Sequence, residues 1–109
     1  MEDWREQYDH VWAFFGDRAV VRLGDKYGHV NKKSKVTTPI IYDYVGVFYE
    51  DRAIVRIGVS WGHVDQQGNV TTPIKYDDVW FFCEGRAKVW IGDKSFYVDL
   101  NGNEIKEKE

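Results

Sequence analysis

The chain has 109 residues, 43% hydrophobic and 17% aromatic, with a net charge of −3. That is enough for one domain with an aromatic-rich core, and too evenly charged for the basic stripe that nucleic-acid binding needs. One cysteine, Cys83, excludes an internal disulfide and a thiol-pair metal site. No apolar run approaches the roughly 18 residues of a membrane span, and the charged start MEDWREQYDH lacks the apolar stretch of a signal peptide. A soluble, cytoplasmic protein is expected.

Residues 1–7 read as a lead-in, or as a strand added at an open edge, with Trp4 tucked onto the repeat unit that begins at Tyr8. From Tyr8 a 34-residue pattern recurs without insertion, giving units 8–41, 42–75 and 76–109. Each opens on Tyr-Asp (Tyr8-Asp9, Tyr42-Asp43, Tyr76-Asp77), then a valine (Val11, Val45, Val79) and, three residues on, a phenylalanine (Phe14, Phe48, Phe82). Residues three apart on a regular strand face opposite sides, so a bulge or bend is expected there. Cys83, aligned with Phe15 and Tyr49, is expected to fill a small apolar slot.

A turn at Gly16-Asp17, Glu50-Asp51 or Glu84-Gly85 leads into the clearest strand, starting at Arg18, Arg52 and Arg86. One face of it reads Ala19/Val21/Leu23, Ala53/Val55/Ile57 and Ala87/Val89/Ile91, as a core face does. The other reads Arg18/Val20/Arg22, Arg52/Ile54/Arg56 and Arg86/Lys88/Trp90, as expected of a solvent or partner face. Gly24, Gly58 and Gly92 then predict a tight turn with positive φ. The return strand contains Tyr27-Gly28-His29-Val30, Trp61-Gly62-His63-Val64 and Ser95-Phe96-Tyr97-Val98. The D-x-x-G turn after it needs a left-handed residue at Gly68 and Gly102, where the first unit has Ser34. A short last strand is expected to end at Pro39 and Pro73, and the third unit ends instead in a charged tail from Glu104.

The series Tyr-Asp-x-Val…Phe…Arg-Ala-x-Val…Gly-x-x-Trp-Gly-x-Val-Asp…Gly, most complete from Tyr42 to Pro73, resembles the WG repeat, a β-hairpin repeat common in bacterial proteins. The resemblance implies antiparallel strands and an interaction or scaffold role of open specificity. The expected fold is all-β: three repeats, each a meander of three or four short strands, stacked, continued as one curved sheet, or closed into a small barrel-like body.

No catalytic site, metal site or cofactor is expected. Asp9, Asp43 and Asp77 repeat too regularly for an active site, which needs unlike groups converging. They fit Asx turns or ion pairs with Arg18, Arg52 and Arg86. His29 and His63 fit structural hydrogen bonds better than a two-ligand metal site. Trp12 and Trp80 align with Gly46, and Trp90 with Arg56. A packed core does not tolerate such exchanges, so Trp12, Trp80 and Trp90 are read, with Arg22 and Arg56, as an interaction patch for another protein. End-capping by Trp90 is the competing reading. The alternative functions are carbohydrate or small-ligand binding on exposed aromatics, and self-assembly into homo-oligomers through open strand edges.

Overall fold

Alternating apolar residues, punctuated by glycine turns at hairpin spacing, leave each repeat a four-stranded antiparallel meander. The computed structural model describes residues 3–106. The first sheet holds β1 (His10–Val11), β2 (Ala19–Leu23), β3 (Lys26–Val30) and β4 (Val36–Tyr42). The second holds β5 (Tyr44–Tyr49), β6 (Arg52–Ile57), β7 (Ser60–Asp65) and β8 (Val70–Tyr76). The third holds β9 (Asp78–Val79), β10 (Arg86–Ile91), β11 (Lys94–Asp99) and β12 (Glu104–Ile105). In each sheet the strands pair in chain order, and the three sheets remain separate. The expected all-β repeat array is therefore present as an open stack, without closure into a barrel.

The lead-in is a 3-10 turn, Trp4–Gln7, rather than an edge strand. Trp4 packs edge-on against Tyr8 and Phe14, with ring centres 6.3 Å away in both cases. The charged tail reaches β12, and its last residues, 107–109, lie outside the described part of the chain.

The expected irregularity between valine and phenylalanine is a register shift between Val45 and Phe48. The glycines at the β2–β3, β6–β7 and β10–β11 turns have φ of 66°, 62° and 61°. Pro39 and Pro73 do not end their strands. Both lie inside β4 and β8, which continue to Tyr42 and Tyr76. They are tolerated because these are edge strands, with no ladder partner on one side among the described residues.

That continuation joins one repeat to the next. Tyr42 ends the last strand of the first sheet and is buried in the core of the second, with Val45, Phe48, Ala53, Val55 and Val64. Tyr76 does the same for the third sheet. The expected core face holds at its first two positions (Ala19/Val21, Ala53/Val55, Ala87/Val89), but Leu23, Ile57 and Ile91 are exposed at the strand ends.

The opposite face, expected to meet solvent or a partner, meets the next repeat instead. Val20 and Tyr27 pack on the core of the second repeat, and Ile54 and Trp61 on that of the third. Sheets thus stack face to face, each covering the outer face of the one before it.

Polar contacts fix this stacking. Arg18 Nε and Nη2 donate to the Gln66 carbonyl at 3.3 and 3.1 Å, and Arg52 Nε donates to the Leu100 carbonyl at 2.9 Å. The Glu50 carboxylate accepts from Glu84 N–H and Gly85 N–H, both at 2.7 Å. The D-x-x-G turns also press on the preceding repeat. A Cβ at Gly68 would collide with the Thr37 carbonyl oxygen, and one at Gly102 with that of Thr71. Ser34, with φ of 62°, occupies the matching turn of the first repeat, which packs on no earlier sheet.

Candidate functional site

Three features of the surface are chemically suited to binding. The first is a row of rings on one flank of the stack, where β1, β5 and β9 lead into the following strands. Phe15, Tyr49 and Phe81 are 54%, 42% and 52% exposed. Their ring centres follow at 6.1 and 4.7 Å, so the row spans all three repeats. The second is a groove of about 350 Å³ between the first two repeats, lined by Trp12, Phe15, Tyr27, Tyr44 and Phe48, with Arg18 at its side. The third is the outer face of the third sheet, where Trp80, Arg86, Lys88 and Tyr97 border a depression of about 260 Å³.

The expected patch residues fall on all three sheets. Trp12 is 41% exposed, lies 4.1 Å from the His10 ring and 5.8 Å from Tyr27, and walls the groove. Arg22 and Arg56 each reach their own hairpin turn, donating to the carbonyls of Gly24 at 2.7 Å and Gly58 at 2.6 Å. Arg56 also lies over Trp61, 5.6 Å from the ring centre. Trp80 and Trp90 come together at 5.0 Å, edge to face. Only this last pair is brought into contact.

Where Gly46 lacks the tryptophan of its neighbours, Tyr44 replaces it from two residues earlier. Its ring lies 5.7 Å from Trp61, as Trp12 lies beside Tyr27. The aromatic pair is thus retained from a different position. The ring row and the groove escaped the sequence reading because Phe15 and Tyr49 lie outside the strands that alternate regularly. Their recurrence at one repeat position was the available signal.

The histidines are structural. His29 Nε2 donates to the Gly46 carbonyl at 2.7 Å and His63 Nε2 to the Trp80 carbonyl at 2.9 Å, each tying its sheet to the next. A carbonyl only accepts, so Nε2 carries the proton and Nδ1 is left as acceptor. In the first repeat Nδ1 takes a bond from Thr38 Oγ1 at 2.8 Å. In the second, His63 Nδ1 and Thr72 Oγ1 are both buried without a partner. Burial lowers both pKa values to about 4, against the opposing effect of the carbonyl bonds. Among the described residues no group of three or more His, Cys, Asp or Glu is placed to hold a metal ion.

The aspartates pair with neither Arg18, Arg52 nor Arg86. Asp9, Asp43 and Asp77 each accept from the turn glycine N–H of their own repeat, Gly24, Gly58 and Gly92, at 2.6 Å. Lys26 binds Asp43 as well, and that bond, with the Gly58 N–H, holds the Asp43 carboxyl below its usual range. Cys83 fills no slot. It is exposed, as Phe15 and Tyr49 are at the same position of the earlier repeats.

Phe96 stands where the other repeats have glycine. There a Cβ at Gly28 or Gly62 would collide with the Thr38 or Thr72 carbonyl of the neighbouring strand. In the third repeat β12 ends at Ile105, one residue before the position of Thr38 and Thr72, and Phe96 packs on its core, as Ile40 and Ile74 do on the cores of the first two.

Fold and surface together define a tandem array of stacked β-meanders with aromatic flanks. The model of the WG containing repeat family matches residues 7–27, 27–58 and 61–94, most of the chain, and the protein belongs to that family. No curated protein and no solved structure matches it.

Proposed function

We propose that the protein is a non-catalytic protein–protein interaction module, an adaptor, scaffold or small inhibitor acting in the cytoplasm. The observation that supports this reading is the flank of exposed rings, Phe15–Tyr49–Phe81 with Trp12 and Trp80 beside it. Rigid rings lose little entropy on binding and dominate interface energetics. Here they are held on a stack cross-tied by Arg52, His29 and His63. Trp80 and Trp90 are the anchors at one end and Trp12 at the other. Arg22 and Arg56, engaged in their own turns, add polar rim contacts.

Among the described residues no helix is long and apolar enough to cross a membrane. Pro39 and Pro73 remove donors from the edges of β4 and β8, which favours side-chain docking over strand addition or edge-to-edge assembly.

The test is affinity capture from the native cell with wild type and with Trp12→Ala, Tyr49→Ala and Trp80→Ala. Loss of the captured protein with unchanged circular dichroism supports the reading. Undiminished capture by all three variants refutes it. The 350 Å³ aromatic groove favours a second reading, a carbohydrate or small apolar ligand. Glycan-array binding abolished by Trp12→Ala would select it.

A further inference from the structure

The outer face of each sheet is a docking face, and the chain uses it twice. On the first two sheets it carries an arginine, an aliphatic residue and a histidine: Arg18/Val20/His29 and Arg52/Ile54/His63. The arginine and histidine donate to carbonyls of the next repeat, and the aliphatic residue packs on its core. On the third sheet the same positions hold Arg86, Lys88 and Tyr97, and among the described residues no sheet covers them.

The replacements change what this face can accept. Lys88 stands where Val20 and Ile54 meet an apolar core. A further apolar repeat laid there would bury its ammonium without a partner, at a cost of several kcal/mol. The face is instead cationic and aromatic. Arg86 lies over Tyr97, 4.2 Å from the ring centre. Lys88 Nζ sits among three rings, 5.6 Å from Trp80, 5.5 Å from Trp90 and 6.0 Å from Tyr97. Glu84 and Glu104 border the same depressions, yet no carboxylate among the described residues lies within 4.0 Å of either cation. Two cations on a floor of rings, outside ion-pair reach of their own carboxylates, match a carboxylate beside an apolar side chain.

We propose that this face, centred on Lys88 and Arg86 and floored by Trp80, Trp90 and Tyr97, docks an acidic, extended segment of the partner protein. Arg86 takes a backbone carbonyl or a carboxylate of that segment, as Arg18 and Arg52 take carbonyls of the following repeat. Lys88 takes a carboxylate. The rings take the neighbouring aromatic or aliphatic side chain. The inference rests on the protein-binding reading and names the chemistry of the partner.

The experiment titrates a short fluorescein-labelled peptide of alternating Glu and Tyr into the full chain. Peptides with Gln or Lys in place of Glu are run beside it, with inorganic polyphosphate as competitor. Saturable binding of the Glu peptide alone is expected. Lys88→Ile, which restores the residue type of Val20 and Ile54, should weaken it about tenfold or more, while Lys88→Arg retains it. Equal binding of the Gln peptide overturns the proposal. So does unchanged binding to Lys88→Ile, or polyphosphate bound more tightly than the peptide. The two readings fail differently. If the Glu peptide does not bind while cellular capture still depends on Trp12 and Tyr49, only the acidic-segment inference falls. If capture is also indifferent to the ring substitutions, the interaction module falls with it.

Discussion

His63 Nε2 lies 2.9 Å from the carbonyl oxygen of Trp80, a residue of the next repeat, and donates its proton across the junction between sheets. His29 makes the same bond to Gly46. These two bonds join the Arg18, Arg52 and Glu50 contacts across the junctions, and burial keeps both imidazoles neutral.

This makes stability depend on pH. Both histidines have folded pKa values near 4, against 6.5 when exposed. Between those values the unfolded chain binds the extra protons, so stability is full above about 6.5 and is lost as pH falls to about 4. The loss is at most about 3 kcal/mol per histidine. Asp43, with its pKa lowered by Lys26 and the Gly58 N–H, acts below this window. Urea midpoints should fall between about pH 7 and pH 4.5 in wild type, and far less in the His29→Gln/His63→Gln double variant. A flat wild-type profile contradicts the assignment. A chelator should leave the wild-type midpoint unchanged.

The threonines beside the histidines should respond unequally. Thr38→Val removes the partner of His29 Nδ1 and leaves a buried acceptor unmet, costing about 1–3 kcal/mol. Thr72→Val removes a hydroxyl that already has no partner, so it should be near neutral. Equal losses in chemical denaturation would show that the two sites are alike in solution.

The turn glycines divide into two kinds. Gly58 has φ of 62° and open space around its absent Cβ. Gly58→Val should therefore cost only the left-handed backbone penalty, about 1–2 kcal/mol. Gly102 is left-handed and also lies against the Thr71 carbonyl, so Gly102→Ser should cost more by parting the second and third sheets. Ser34→Gly should stabilise by up to about 1 kcal/mol. Thermal melts of the three variants give the order. A Gly102→Ser loss no larger than that of Gly58→Val would refute the inter-repeat contact.

Arg52→Ala should destabilise by about 1–2 kcal/mol, since it leaves the half-buried Leu100 carbonyl without its charged donor. Hydrogen exchange should show the loosening at the junction of the second and third sheets. Exchange unchanged there would mean that the bond is replaced by water at no cost.

Strand type, repeat length and turn positions were legible in the chain because alternation, glycine spacing and Tyr-Asp recurrence are local. Ala19, Val21 and Tyr42 announce a core by periodicity alone. The roles of Arg18, Asp43, Cys83 and Phe96 were not legible, because each depends on contacts with residues far from it in the chain or on exposure to solvent, which local alternation does not report. Asp43 caps its own turn and Arg52 reaches a carbonyl in the next repeat, and no spacing rule assigns those partners. The apparent solvent face of Val20, Ile54 and their neighbours is an interface for the same reason.

The amino-acid sequence by itself determined an all-β array of three WG repeats, since hairpin register follows from residues a few positions apart. Only the tertiary structure decided that the repeats stack face to face, that His29 and His63 tie one sheet to another, and that Trp80 and Trp90 share a cationic outer face while Trp12 walls a groove. Those facts depend on how one sheet is laid upon the next. That placement is set by packing between residues far apart in the chain, which the local pattern does not encode.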